Sequence, residues 1–216
     1  MTFVTKKFAR TGSVAITALL LSSSFMCLPA QAAEGSSFIQ ETTTTTATPA
    51  PVKYKVGDTI GKLYVPRYGK KYVRTILEGT TSKVLYNKAG LGHYVDTQMI
   101  GHEGNFAIAG HRHANGGPML KIDKLKTGDM AYVLTKTSWF TFKWVGTKVV
   151  KPNNVGVIYP VPVGLASAKV GGKYMTFTSC TPIYVNTKRI AAWFELVSET
   201  PKADGMPADL AKFLGK

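Results

Sequence analysis

The chain has 216 residues and carries 27 Lys+Arg against 12 Asp+Glu, a formal net charge of +15, which suits an anionic wall polymer, lipid head groups or a pyrophosphate-bearing precursor. Nucleic acid is excluded as the partner, because the basic residues are scattered through nearly every segment without a concentrated motif and because an export-type segment opens the chain. Of the two cysteines, Cys27 lies in that opening segment, which leaves Cys180 as a single unpaired thiol in the rest of the chain.

In chain order, Lys6-Lys7-Phe8-Ala9-Arg10 is a basic start, residues 13–28 are apolar, and Ala30-Gln31-Ala32 is an A-x-A site. Residues 1–33 therefore read as a cleaved signal peptide, or as a retained membrane anchor whose apolar run falls short of the roughly 20 residues a comfortable span needs. Loss of Lys6, Lys7 and Arg10 would leave 24 − 12 = +12. Met26 stands before Cys27 where a lipoprotein site needs a small residue. Residues 34–51, with Thr42 to Thr46 in a row and Pro49 and Pro51 after them, form a linker that has too little apolar content for a core. Residues 52–200 are long enough for one folded domain. Its runs at 63–65, 73–77, 105–109, 131–135, 139–150, 174–179 and 190–197 are short, β-rich and punctuated by Gly, Pro and Asn. They predict an all-β fold, a closed or nearly closed barrel, with a helical turn near 119–125. Residues 201–216 are a C-terminal tail, either a short amphipathic helix or frayed.

Period-2 alternation places the polar side chains. Tyr174-Met175-Thr176-Phe177-Thr178-Ser179-Cys180 alternates as a half-buried strand does, with Cys180 on the polar face. Ile190, Ala192, Phe194 and Leu196 form an apolar row from which Arg189 points away. Phe106 and Ile108 form another, with His111 in phase with Ala107 and Ala109 on the opposite side. A thiol, an imidazole and a guanidinium thus stand at strand ends off the core face, as a nucleophile, a proton-transfer group and a cationic stabiliser. Plainer roles exist for each: a lone cysteine is often core, Arg189 has Glu195 as an available ion partner, and His111 with His113 has a spacing that suits zinc. No third ligand of compatible spacing accompanies them, since His93 and His102 sit in Gly-rich loops, so neither metal nor cofactor is expected.

Thr176-Phe177-Thr178-Ser179-Cys180 resembles the Thr-Leu-x-Thr-Cys signature of the sortases, cysteine transpeptidases that anchor proteins to Gram-positive cell walls. Arg189 follows at a suitable distance, and Ala109-Gly110-His111-Arg112 is similar to the segment around the family histidine. The likeness covers about residues 52–197 and departs from the signature at Phe177 and Ser179. Gly92-His93-Tyr94, Gly104-Asn105, Pro182 and Tyr184 look most like class E, with class F as neighbour. The resemblance implies a sortase-like barrel of about eight strands for residues 52–200, no cofactor, and a monomer at the outer face of the membrane or in the wall. It implies that Cys180 attacks the Thr–Gly carbonyl of a Leu-Pro/Ala-x-Thr-Gly sorting signal, that His111 moves the protons and that Arg189 holds substrate or oxyanion. Tyr94, His93, Thr178 and Ser179 are the substrate-binding candidates. Surface proteins bearing such a signal would be one partner and an amine of a peptidoglycan precursor the other. Two alternatives stand beside this reading. An L,D-transpeptidase would need Gly and Arg where Ser179 and Pro182 are found, and a non-catalytic cationic wall-binding module would have an inert Cys180.

Overall fold

The computed structural model describes residues 53–87 and 90–216. The export-type segment with Cys27 and the linker at 34–51 lie outside the described residues. Eight strands follow in chain order: β1 (Thr59–Tyr64), β2 (Val73–Glu78), β3 (Leu91–His93), β4 (Gly104–Gly110), β5 (Met130–Leu134), β6 (Ser138–Val150), β7 (Lys173–Thr181) and β8 (Lys188–Pro201). They form a closed barrel in the order β1-β2-β3-β4-β7-β8-β6-β5, and the β1–β5 pairing completes the circle. Two contacts are parallel, β2 with β3 and β4 with β7.

The alternating rows point where their periodicity demands. Phe106 and Ile108 of β4, Met175 and Phe177 of β7, and Ile190, Ala192 and Phe194 of β8 meet in one buried cluster inside the barrel. Each large apolar side chain there contributes about 1.5–3 kcal/mol by leaving water. The opposite row departs from expectation. Strand β7 is buried on both faces from Tyr174 to Ser179, so it is not half-solvated. The β6–β7 connection lies over it: Val157 and Leu165 pack with Tyr174, Ala191 and Trp193 in a second cluster. Two hydrogen bonds pin that cover, from Trp193 Nε1 to the Val157 carbonyl at 3.0 Å and from Asn105 Nδ2 to the Tyr159 carbonyl at 3.1 Å. The covering ends at Cys180, which is partly exposed.

Strand β3 has no counterpart among the sequence runs, since it is three residues long and centred on Gly92. A side chain could not replace that glycine, because a Cβ there would collide with the carbonyl oxygen of Gly79. Helices are few: α1 (Ser82–Leu85), α2 (Ala208–Leu214), and short 3-10 turns that include Ile122–Lys124 inside the predicted turn. The tail is part of the fold. Strand β8 runs into it as far as Pro201, and Leu210 of α2 is 1% exposed, packed with Tyr132 and Trp139 on the outside of the barrel. Among the described residues no helix is long and apolar enough to cross a membrane.

Candidate active site

Strand β7 is the middle of the site because its neighbours come from both sides of the chain. Cys180 pairs directly with Arg189 of antiparallel β8. Strand β4 runs parallel on the other side with Ala109 opposite Thr178, where the ladder ends; the Ser179 hydroxyl still reaches Gly110 O at 2.7 Å, and His111 follows directly after the end of β4. Residues opposite each other in a sheet point to the same face, with Cα atoms about 4.5–5.5 Å apart. The thiol therefore stands on the outer face where the covering loop ends, opposite Arg189 of β8 and on the strand that pairs with β4, after whose end His111 follows.

Arg189 is held by carbonyls rather than by a carboxylate. Its Nη1 donates to Asn186 O at 3.1 Å and Lys188 O at 3.0 Å, and among the described residues it makes no ion pair with Glu195 or any other acid. The two histidines diverge. The His111 ring lies 4.8 Å from that of Tyr86, centroid to centroid, and the His113 ring 4.5 Å from that of Tyr184. Arg112, between them, alternates inward, where Nε donates to Leu120 O and Nη2 pairs with Asp123 at 2.9 Å.

The four substrate-binding candidates separate by strand phase. Thr178 is on the outer face two residues before Cys180; its hydroxyl donates to Ile108 O at 3.3 Å and so receives the Tyr94 hydroxyl at 3.0 Å. Tyr94 and Thr178 therefore join the thiol's face. His93 and Ser179 do not, because neighbours along a strand face opposite ways. Ser179 Oγ donates to Gly110 O at 2.7 Å and is buried. His93 is 1% exposed, stacks on Phe106 inside the barrel, and faces the Glu78 carboxylate through Nδ1 at 3.0 Å. On its other side the Thr97 hydroxyl donates to Tyr94 O at 2.8 Å, so His93 Nε2 donates to Thr97 Oγ1 at 3.0 Å. His93 thus reaches the site only by holding the turn after Tyr94. Sequence reading missed Glu78, Tyr86 and Asn115, whose contacts cross between segments that no local pattern links.

A partly exposed thiol, with an arginine opposite it in the ladder and a histidine just after the end of the next strand, on the rim of a closed eight-stranded barrel, is an arrangement in which a thiol can serve as a nucleophile. A profile described as the sortase domain matches residues 63–197, more than half of the chain. Sortase SrtE1 of Streptomyces coelicolor is 33% identical over 164 residues, covering 73% of this chain and 46% of that protein. The structure of sortase E from Streptomyces avermitilis superposes with a TM-score of 0.66 at 38% identity, covering 73% of this chain and 99% of that one. The SrtF sortase from Corynebacterium diphtheriae gives 0.67 at 29% identity over 74% and 95%. The chain belongs to the sortase family, the cysteine transpeptidases, and is similar to its class E members. It spans about half the length of the first of these relatives.

Proposed function

We propose that this chain is a transpeptidase that cleaves a Leu-Pro/Ala-x-Thr-Gly sorting signal between Thr and Gly and joins the threonyl end to an amine of a peptidoglycan precursor. The observation that supports it best is the pairing of Cys180 with Arg189 across the β7–β8 ladder, with His111 directly after the end of the neighbouring strand β4. The Cys180 sulfur bonds to the threonine carbonyl carbon, the C–N bond to glycine breaks, and His111 gives a proton to the departing amine. The incoming amine then loses a proton to His111 as it displaces the sulfur, which closes the cycle. Arg189 donates to the oxyanion in both halves, a contribution on the order of 3 kcal/mol for a single oxyanion donor. Tyr94, beside Thr178, shapes the pocket for the second signal residue. The enzyme acts as a monomer outside the cytoplasm, held or released by residues 1–33 and lifted from the membrane by the linker. Its partners are surface proteins with C-terminal sorting signals, and its basic surface favours the anionic wall.

The test is product analysis with a Thr-Gly sorting peptide. Wild-type protein should release the glycyl fragment, an added small amine should divert the product from acid to amide, and Cys180→Ala should do neither while melting at nearly the same temperature. Turnover retained in Cys180→Ala, or product that ignores the amine, rejects the reading.

A further inference from the structure

Acid–base histidines are commonly oriented by a hydrogen-bonded carboxylate on the far side of the ring. Among the described residues none serves His111: its Nε2 is buried with no hydrogen-bond partner, and no acid pairs with it. What stands against the imidazole is the ring of Tyr86, at 4.8 Å between centroids and 56° between planes, within the range of favourable tilted aromatic contacts.

Burial does not keep Tyr86 there, because it is 64% exposed. A second contact does. Asn115 Nδ2 donates to Leu85 O at 2.8 Å and to Asn87 O at 2.7 Å, the carbonyls on either side of Tyr86. Asn115 has φ 51°, a left-handed conformation that asparagine adopts more readily than most residues. It lies in the connection that begins at His111, whose own carbonyl accepts Met119 N–H at 3.1 Å. The segment that carries the histidine therefore reaches back across the end of α1 and grips the turn that presents the tyrosine to it.

We infer that Tyr86 is a positioning residue for His111, held by Asn115, and that it keeps the imidazole aimed at Cys180; this rests on His111 being the proton-transfer group proposed above. The ring is a wall against which the imidazole cannot swing outward. Its electron-rich face also accommodates the imidazolium that forms when His111 takes a proton. Removing the wall leaves the thiol and the substrate face intact but lets the proton carrier stray, and a misplacement of about 1 Å costs as much as roughly 10²-fold in rate. The loss belongs in kcat, because the substrate-side candidates Tyr94 and Thr178 are held by hydrogen bonds to each other and to Ile108 O, in which Tyr86 has no part.

The experiment compares the full chain with Tyr86→Leu, Tyr86→Phe and Asn115→Gly, the last keeping the backbone freedom while deleting the amide. Sorting-peptide kinetics with a soluble amine are measured together with the ring-current shift of the His111 carbon-bound protons in histidine-labelled protein. Tyr86→Leu should lower kcat on the order of ten-fold or more with KM within about two-fold, and abolish the ring-current shift. Tyr86→Phe should retain most of both, and Asn115→Gly should fall between. Undiminished kcat in Tyr86→Leu, an unchanged His111 shift, a loss confined to KM, or Phe failing as badly as Leu overturns the inference. Wild-type protein that never turns over the peptide instead rejects the proposed function, a result that these variants do not produce.

Discussion

At Arg189 the shape of the side chain matters beside its charge. Nη1 is tethered to Asn186 O and Lys188 O, and the residue is the partner of Cys180 across the β7–β8 ladder. Lysine keeps the charge and loses the two-pronged donor geometry. Arg189→Lys should therefore lose most transpeptidation while alkylation of Cys180 by iodoacetamide falls much less; near wild-type turnover in the lysine variant would reduce the role to electrostatics. His111 and His113 offer a second separation, since their rings contact Tyr86 and Tyr184 respectively. His111→Ala should cost at least about 10²-fold in turnover, as a lost acid–base group does, and His113→Ala far less. Equal losses relieved by zinc would favour a metal site. Strand phase made Cys180, Arg189 and His111 legible in the sequence. In the sequence His93 groups with Tyr94 as a substrate-binding candidate because nothing in its Gly-rich surroundings marks a strand, and the structure turns it to Glu78 inside the barrel.

Among the elements, α2 carries a test of where stability and chemistry part. Leu210 fills a pocket formed with Tyr132 of β5 and Trp139 of β6. In the barrel order, β5 is separated from β7 by β6 and β8, so a cavity there should not reach Cys180. Leu210→Ala should destabilise the protein by about 2–4 kcal/mol, read by denaturant unfolding, with little change in peptide turnover at a temperature where both proteins are folded. A large drop in turnover by folded Leu210→Ala protein would show that the two regions are coupled. The sequence left this helix open between order and fraying because its partners, Tyr132 and Trp139, are distant in the chain. Strand β3 was invisible for a related reason: three residues centred on glycine have no periodicity, and only pairing with β2 and β4 makes them a strand.

For the whole molecule, one ion pair links stability to acidity. Arg67 grips Asp129 with two hydrogen bonds, Nε to Oδ2 at 2.8 Å and Nη2 to Oδ1 at 2.7 Å, and Lys126 N–H adds a third at 2.9 Å. Burial alone pushes the Asp129 carboxyl up, but the bonds from Arg67 and from the Lys126 backbone outweigh it and hold the group below the usual carboxylate range. A lowered folded-state value means stabilisation that is complete above the unfolded-state value of about 4 and is lost as pH falls through the folded one. Asp129→Asn should therefore melt a few degrees below wild type at neutral pH, and the gap should close below about pH 4. A gap independent of pH would mean that shape and not charge carries the contact.

Which side chains share a face was determined by the sequence itself, because alternation along a strand is a property of the local backbone. That is why the inward rows of β4, β7 and β8 and the outward phase of Cys180, Arg189 and His111 follow from residue order alone. Which strands become neighbours was decided only by the tertiary structure. Thr178 bonds to Ile108, 70 positions away, and no local pattern specifies that β4 should pair in parallel with β7. The same holds for the loop that buries the outer face up to Cys180 and for the tyrosine turned onto His111: each depends on packing between distant segments, whose energy exists only once the barrel has closed.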